Sequence, residues 1–252
     1  MEAAIPGLHG EQVVGATPEQ TVRALTERLI RHLRRRLQDA PFVHLALSGG
    51  SSGALLCNAL ATDEDLDVEH WSRTHVWMVD ERGVADNDPR LNFALIRDRL
   101  AAKVGLPRAN LHPMPVLATG GARDYRQQLD AALAHPTHSG CLDAVVLGMG
   151  PDGHIASLFP NSPALDEQVS SVVVNDGDTV TPPRPRMTMT YPVLNRARLI
   201  ALLVTGAGKR PALTTLASGT ADFRSLPVAG VTPRPDSEMI WYLDRAAAPT
   251  AP

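Results

Sequence analysis

Residues 142–154 read LDAVVLGMGPDGH, and this stretch indicates the fold class. Its first six residues are mostly apolar, and three glycines follow within the next six positions. A short apolar run that ends at a glycine-rich turn is typical of a buried strand in a parallel sheet. The same pattern occurs at residues 42–53, where FVHLAL is followed by SGGSSG. Two such units predict an α/β protein.

Helical and strand patterns alternate on either side of this stretch. Thr17, Pro18 and Gln20 predict the start of a first helix, because they form a capping box with proline at the first helical position. Further helices are predicted at residues 54–61, 90–104 and 122–135, and strands at 42–47, 74–79, 142–147, 171–174, 187–190, 199–205 and 239–243. The alternation predicts one domain over residues 1–252, built on an open, mostly parallel sheet with helices on both faces. Residues 1–12 and 246–252 lack periodicity and are expected to be poorly ordered.

The composition argues against several classes of protein. The 252 residues carry 24 Lys and Arg against 27 Asp and Glu, whereas proteins of nucleic acid or anionic membranes benefit from a basic excess. Two cysteines, Cys57 and Cys141, are too few for a disulfide framework. No apolar stretch of about 18 residues and no signal-like start occur, so we expect a cytoplasmic protein without a membrane or nucleic-acid partner. The arginines at positions 31, 34, 35 and 36 are interpreted as a solvated helix face.

Polar and glycine residues follow the predicted strands at the edge where parallel sheets bind ligands. Ser48, Gly49, Gly50 and Ser51 come after the first of these strands and before a helix, and N–H groups at a helix start favour an anion such as phosphate. A plain tight turn is an equally good interpretation of the spacing. The pattern G-x-S-x-G would also make Ser51 a nucleophile, but its position so early in the sheet argues against that interpretation.

Residues 148–154 contain a candidate catalytic base. Asp152 lies two positions before His154, and a histidine titrates close enough to neutrality to act as a general base. A solvated loop histidine is the alternative, since the chain has 9 histidines. The same residues match the dinucleotide pattern G-x-G-x-x-G, but no long helix follows them, and no histidine spacing indicates a metal. We therefore expect neither a cofactor nor a metal.

Three more basic residues occupy predicted strand ends. Arg82 closes the sequence Asp80, Glu81, Arg82 after the second strand, and Arg186 precedes an alternating strand. Lys209 lies in a strand-to-helix turn at residues 206–209. Arginine can bind phosphate through a forked pair of hydrogen bonds. The alternatives are an exposed ion pair between Glu81 and Arg82, and a solvated lysine at a helix start.

The chain resembles the 6-phosphogluconolactonases, of the glucosamine-6-phosphate isomerase/deaminase superfamily. The motifs that carry the resemblance are residues 47–51 (LSGGS), 80–82 (DER), 148–160 (GMGPDGHIASLFP), 186–190 (RMTMT), 206–209 (GAGK) and 241–244 (WYLD). The resemblance implies a Rossmann-like sheet and hydrolysis of 6-phospho-D-glucono-1,5-lactone to 6-phospho-D-gluconate, the second step of the oxidative pentose phosphate pathway. It implies no metal or organic cofactor, and a phosphosugar lactone as the binding partner. We expect a monomer or a small homo-oligomer.

By the same resemblance, His154 would be the base that activates water, and Asp152 would orient it. The residues that would bind the substrate and its phosphate are Ser48, Gly49, Gly50, Ser51, Asp80, Arg82, Asn92, Arg186 and Lys209. Two departures from the family pattern affect neighbours of these residues. Ser52 and Gly53 stand where the family usually has Thr-Pro, and Leu91 replaces a serine before Asn92.

Two other functions stay open. The related deaminases continue Gly-His-Ile-Ala with Phe-Asn-Glu, whereas this chain has Ser157, Leu158 and Phe159 there. Without a carboxylate at these positions, isomerisation lacks a proton carrier, while lactone hydrolysis needs only a base and water. The other alternative is a non-catalytic sugar-phosphate-binding regulator whose basic helix contacts DNA, and the presence of Asp152 and His154 argues against it.

Overall fold

Strands and helices alternate along most of the chain in the computed structural model, which describes Ile5 and residues 7–249. Within the described residues the strands, β1 to β10 in chain order, are Glu11–Gly15, Val43–Leu47, Thr74–Met78, Asp80–Arg82, Leu111–His112, Ala144–Gly148, Val172–Asn175, Arg186–Met189, Leu199–Val204 and Glu238–Asp244. The helices, α1 to α8, are Pro18–Asp39, Gly50–Thr62, Val68–Ser72, Asn92–Ile96, Ala102–Val104, Gly121–Leu133, Tyr191–Leu194 and Arg210–Ala217. No helix in the described ranges is long and apolar enough to cross a membrane.

The main sheet has 7 parallel strands in the order β1-β10-β9-β6-β2-β3-β5. β2 lies between β3 and β6, so the chain extends the sheet in opposite directions from this strand. Open parallel sheets bind ligands at such a switch point, beyond the carboxyl ends of the strands. The glycine-rich turns after β2 and β6 meet at this position. The predicted α/β class, with an open and mostly parallel sheet packed against helices, is confirmed.

Burial of the strands and of one helix stripe forms the core. β2 and β9 are buried along their whole length, which explains why their sequences are apolar apart from His44. α1 packs on the sheet through a stripe that includes Leu25, Leu29 and Leu33, all 0% exposed. Each such leucine contributes roughly 1.5–3 kcal/mol of transfer free energy. The predicted N-cap is confirmed, since the Thr17 hydroxyl accepts a hydrogen bond from the Gln20 N–H. The reciprocal half of the capping box differs, because the Gln20 side chain accepts from the Ala16 N–H rather than from that of Thr17.

The strands predicted at residues 171–174 and 187–190 exist as β7 and β8, but they do not belong to the main sheet. They form a separate antiparallel sheet with β4, in the order β4-β8-β7. The prediction that the second strand simply stops at Asp80 is incomplete, because Asp80–Arg82 is itself a strand, and its register places Arg82 opposite Arg186. Local alternation indicates a strand without identifying its partner, so the sequence could not assign these strands to a second sheet.

The predicted disorder of the chain ends is wrong in part. β1 begins at Glu11 and pairs with β10, and Leu8 is only 6% exposed. Ala247 is buried, and its N–H donates to the Asp244 carboxylate at 2.8 Å. Residues 1–4, 6 and 250–252, which the same prediction covers, lie outside the described residues. The sequence pattern did not predict β1, because it is a short edge strand with few apolar residues.

The helix predicted over residues 90–104 is shorter and less regular than expected. It begins at Asn92, and the π-helical segment Arg97–Ala101 separates α4 from α5. The late start has a clear cause, since the first N–H groups of α4 are capped by a side chain from β4, described below.

Candidate active site

The turns at the carboxyl ends of β2, β6 and β9 border a cleft of about 280 Å³. Every residue predicted to bind or transform a substrate lines this cleft except Asp152, which contacts it through His154. The lining residues from the prediction are Ser48, Gly49, Gly50, Ser51, Asp80, Arg82, Asn92, His154, Arg186 and Lys209. The parallel sheet brings these distant positions together because the strand ends share one edge.

The turn after β6 folds tightly around Gly150. The Gly150 N–H donates to the His154 carbonyl at 2.8 Å. A Cβ atom at Gly150 would lie 2.1 Å from His154 Nδ1 and 2.5 Å from Asp152 Oδ1, so a side chain there would displace both. Gly153 has a φ of +79°, and a Cβ atom there would lie 2.2 Å from Leu226. The two glycines therefore let the loop hold Asp152 against His154.

His154 and Asp152 form a hydrogen-bonded pair, with 2.6 Å between His154 Nδ1 and Asp152 Oδ1. Because the carboxylate can only accept, Nδ1 carries the proton of the neutral ring and the basic lone pair lies on Nε2. Burial opposes ionisation of Asp152, but its hydrogen bonds to His154 prevail, and the pKa of this carboxyl is lowered. The pair has the geometry that a base oriented by a carboxylate requires.

Phe159 supports two of the predicted site residues. Its ring centroid lies 4.5 Å from that of His154 and 5.5 Å from the Arg186 guanidinium carbon. The ring is almost fully buried, so it is a fixed apolar surface for both groups. A guanidinium over an aromatic face is also attracted to the ring. Phe159 was not among the predicted site residues, although it lies within the most specific motif, residues 148–160.

α2 begins at Gly50 with Gly49 as its N-cap, and no side chain caps it. The first N–H groups of this 13-residue helix are therefore available to an anion, which the helix dipole also favours. Gly49 packs closely on Asn92, since a Cβ atom at Gly49 would lie 2.0 Å from Asn92 Oδ1. Among the described residues, Ser51 makes no hydrogen bond to a histidine, so the nucleophile interpretation lacks its base.

Three cations surround the cleft. Arg186 donates from Nε to the Pro183 carbonyl at 2.8 Å and from Nη2 to the Thr181 carbonyl at 3.1 Å, while burial lowers its pKa. Arg82 donates to a backbone carbonyl of the following loop. Burial lowers the pKa of Lys209, and the charge of Asp152 opposes that shift. In the part of the chain that the structure describes, no group of three or more His, Cys, Asp or Glu is arranged to hold a metal ion.

A buried polar network underlies the cleft. Asp80 accepts from the Ser157 hydroxyl at 2.6 Å and from Asn92 Nδ2 at 3.1 Å. Within the described ranges, Ser48 Oγ, Arg82 Nε and Asn92 Oδ1 are buried without a hydrogen-bond partner. Buried polar atoms are normally paired, so these three provide unused capacity for a polar ligand.

The alternative interpretation of Glu81 and Arg82 as an exposed ion pair is wrong. Glu81 is 1% exposed, and its carboxylate accepts from the N–H groups of Arg82, Asn92 and Phe93 at 2.7–2.9 Å. Burial raises its pKa, and these hydrogen bonds oppose the rise. Glu81 thus caps α4 and fixes Asn92 at the cleft. No local signal separates such a cap from a surface acid, since the capped helix begins about ten residues later in the chain.

Asp244 is a positioning residue that the sequence analysis did not identify. Both of its carboxylate oxygens accept from the Gly206 N–H, at 3.0 and 3.1 Å. Gly206 has a φ of +95° and opens the turn that carries Lys209. The end of β10 therefore fixes the turn at the end of β9. The motif at residues 241–244 was a signal for this contact, because it ends in an acid at a strand end.

Comparison with known proteins places this fold and site in a family. The sequence model for glucosamine-6-phosphate isomerases/6-phosphogluconolactonase matches residues 16–241. The chain belongs to this family. The match includes every residue that lines the cleft.

Two relatives and one solved structure illustrate the similarity. The 6-phosphogluconolactonase of Mycobacterium tuberculosis is 39% identical over 215 residues, covering 82% of this chain and 85% of that protein. The human GDH/6PGL endoplasmic bifunctional protein is 38% identical over 215 residues, or 80% of this chain, but the chain spans only 25% of that longer protein. The structure of 6-phosphogluconolactonase from Trypanosoma brucei has a TM-score of 0.78 at 23% identity, covering 94% of this chain and 97% of that one, and this likeness supports the fold.

Proposed function

We propose that this chain hydrolyses 6-phospho-D-glucono-1,5-lactone to 6-phospho-D-gluconate. The observation that carries the proposal is a single cleft that holds the His154–Asp152 pair together with anion-binding groups. Those groups are the uncapped start of α2 and the cations Arg82, Arg186 and Lys209. A phosphorylated lactone needs a base at its carbonyl and cations at its phosphate. The name of the mycobacterial relative, 6-phosphogluconolactonase, supports the same activity.

His154 begins the reaction as a general base. Nε2 takes a proton from water, and the hydroxide adds to C1 of the lactone to give a tetrahedral intermediate. Asp152 holds the resulting imidazolium in place through Nδ1 and stabilises its charge. Collapse of the intermediate breaks the bond from C1 to the ring oxygen, and the imidazolium returns its proton to that oxygen. The products are the C5 hydroxyl and the carboxylic acid, which ionises in water.

The phosphate is held apart from the reacting carbon. Arg186 contributes Nη1, the guanidinium nitrogen that is not bonded to a carbonyl, and Lys209 and Arg82 add charge. The N–H groups of residues 50–52 and the hydroxyls of Ser48 and Ser51 complete the anion site. Asp80 and Asn92 border this site, and Asn92 is held there by its hydrogen bond to Asp80.

The structure gives physical reasons to prefer this function over the two alternatives. Ser157 and Leu158, which replace the first residues of the deaminase motif, are fully buried, and Ser157 binds Asp80 rather than facing a ligand. For a DNA-binding regulator, the basic helix α1 is partly neutralised, since Arg36 pairs with Asp143 at 2.8 Å and Arg34 with Asp65 at 3.5 Å.

The decisive experiment measures loss of freshly generated 6-phosphogluconolactone against an enzyme-free blank, because the lactone also hydrolyses spontaneously. Wild type and His154→Ala are assayed side by side, with glucosamine 6-phosphate as a parallel substrate. We expect rapid lactone loss that His154→Ala removes. Ammonia release from the amino sugar without lactone loss would assign the chain to the deaminases, and no turnover of either would favour a binding role.

We further propose that the chain acts in the cytoplasm as one domain, either as a monomer or as a small homo-oligomer. Cys57 and Cys141 are unpaired and buried, as is usual in a reducing compartment. Sedimentation of the purified protein would determine the oligomeric state.

A further inference from the structure

Arg186 has one free edge, and an acid lies beside it. Nε and Nη2 donate to the carbonyls of Pro183 and Thr181, which leaves Nη1 for a ligand. Nη1 lies 3.9 Å from Oδ2 of Asp80, and both side chains are almost fully buried. The separation is about 1 Å longer than a charge-assisted hydrogen bond. Asp80 and a bound phosphate would therefore compete for the same N–H groups.

Asp80 is kept from Arg186 by a third residue. The Ser157 hydroxyl donates to Asp80 Oδ2 at 2.6 Å, and Asn92 Nδ2 donates to Oδ1. Ser157 is 0% exposed and is itself fixed, because its N–H donates to Thr188 Oγ1 at 3.1 Å and its carbonyl accepts from Asn175 at 2.8 Å. The hydroxyl is thus anchored on the catalytic loop, a few residues after His154.

We propose that Ser157 is a positioning residue for phosphate binding. Its hydroxyl donates a hydrogen bond to Asp80 Oδ2 and so prevents this carboxylate from forming a close ion pair with Arg186. The inference rests on the proposed function, in which Arg186 Nη1 binds the phosphate of the lactone. Removal of the hydroxyl leaves a buried carboxylate oxygen without a partner, and the nearest cation is Arg186. Arg186 then turns from the cleft toward Asp80.

The first test is Ser157→Ala, measured by KM for the lactone and by the Kd of the product, 6-phosphogluconate. We expect both constants to rise about tenfold, the scale of one hydrogen bond to a charged group. The value of kcat and its pH profile should stay near wild type, because the His154–Asp152 pair is not touched. Ser157→Cys keeps a donor at this position, although a weaker and somewhat larger one, and should give an intermediate rise, so it also serves if the alanine variant does not fold.

A matched control is Ser162→Ala. Ser162 is 2% exposed and its hydroxyl accepts from Asn175 at 3.0 Å, so this variant likewise removes a buried, hydrogen-bonded hydroxyl, but one that is bonded to Asn175 rather than to Asp80. Ser162 makes no hydrogen bond to Asp80 among the described residues, and we expect KM and Kd within about twofold of wild type. An equal rise in KM for Ser162→Ala and Ser157→Ala would reduce Ser157 to an ordinary core residue and overturn the proposal.

A double-mutant cycle identifies the carboxylate as the cause. Asp80→Asn removes the charge that captures Arg186, so adding Ser157→Ala to it should change KM by less than about twofold. The proposal fails if Ser157→Ala raises KM by the same factor in the wild-type chain and in the Asp80→Asn variant. Arg186→Gln separates this failure from that of the proposed function. If Arg186→Gln leaves KM unchanged, the phosphate assignment itself is wrong, whatever the Ser157 variants show.

Discussion

Ionisable side chains cluster at both the carboxyl end and the amino end of the main sheet. They are charged at the carboxyl end, whereas the amino end buries histidines that stay neutral. At the carboxyl end, Arg82, Arg186 and Lys209 surround an open cleft. At the amino end, His44, His75 and His112 occupy the second positions of β2, β3 and β5 and pack together with aromatic rings. One end holds cations around a cleft, whereas the other excludes water from groups that could become cations.

The amino-end cluster is defined by Phe42, His44, His75, Trp77, His112, His135 and His138. His44 and His138 have ring centroids 4.5 Å apart, and His112 stacks on Trp77 at 3.6 Å. Burial, reinforced by neighbouring histidines, lowers the pKa of His44 to about 3 and that of His112 to about 4. These two rings are therefore neutral near pH 7.

The comparison separates two uses of buried polar chemistry. Buried ionisable groups can take part in a reaction or can be structural members of a core, and clustering alone does not distinguish the two roles. At the carboxyl end a cleft, a helix start without a cap and retained positive charge occur together. At the amino end His44 and His112 are neutral, and both carboxylate oxygens of Asp143 accept hydrogen bonds from protein groups. Variants at the carboxyl end should therefore alter kinetics, and variants at the amino end should alter stability.

The largest expected effect is on stability, from Asp143→Ala. Asp143 is fully buried, and it accepts from Arg36 Nε and from the His44 N–H, both at 2.8 Å. Its loss leaves the Arg36 guanidinium without its carboxylate, although Nη2 still donates to the Thr137 carbonyl, and we expect the free energy of unfolding in urea to fall by about 3–5 kcal/mol. Asp65→Ala, which removes only the exposed pair with Arg34, should cost less than about 1 kcal/mol. If the Asp143→Ala variant folds but has a lower kcat, the assignment of kinetics to the carboxyl end and of stability to the amino end is wrong.

His154→Ala should reduce kcat at least ~100-fold with little change in the free energy of unfolding. The chain contains a matched control in His70, whose Nδ1 lies 2.6 Å from Asp67 Oδ1, the same distance as in the His154–Asp152 pair. The two histidine side chains are also about equally exposed, at 27% and 28%. His70→Ala lies outside the cleft and should keep the wild-type kcat. An equal loss of kcat in both variants would show that the effect of His154→Ala does not depend on the position of this histidine at the cleft.

Acid should destabilise the protein through the amino end. His44 and His112 have folded pKa values of about 3 and about 4, below the ordinary 6.5, so between pH 6.5 and 4 the unfolded chain binds more protons than the folded chain. Stability is therefore present above pH 6.5 and is lost as the pH falls. Each histidine contributes a slope of about 1.4 kcal/mol per pH unit, measurable by urea unfolding at several pH values.

The control for this pH dependence is His44→Gln, which should show a shallower slope than wild type because one titrating ring is gone. His32 and His75 also have pKa values lowered by burial, so the slope should not vanish. A wild-type free energy of unfolding that stays constant over the acid range would mean that the cluster takes up protons while folded.

The two ends also differ in how far the sequence predicts them. Much of the cleft was predictable because the turns at residues 48–51, 148–154 and 206–209 follow parallel strands, which bring their carboxyl ends to one edge. The amino-end cluster was not, since His44, His75 and His112 are isolated in sequence and meet through strand register. β2 and β3 pair His44 with His75, and β3 and β5 pair Trp77 with His112. The second sheet escaped prediction for the same reason, because strand partners are set by the tertiary fold rather than by local pattern.

The smallest expected effect returns to the cleft, where Lys209→Ala should raise KM about tenfold and leave kcat within about threefold of wild type. In the proposed function Lys209 binds the phosphate, which is remote from C1, so its contribution should be nearly equal in the ground and transition states. The sequence supplies the control, since Lys103 is the other lysine and is exposed on α5. Lys103→Ala should change neither constant. A fall in kcat at constant KM for Lys209→Ala would place its charge at the reacting carbonyl instead, and the phosphate would then depend on Arg82 and Arg186.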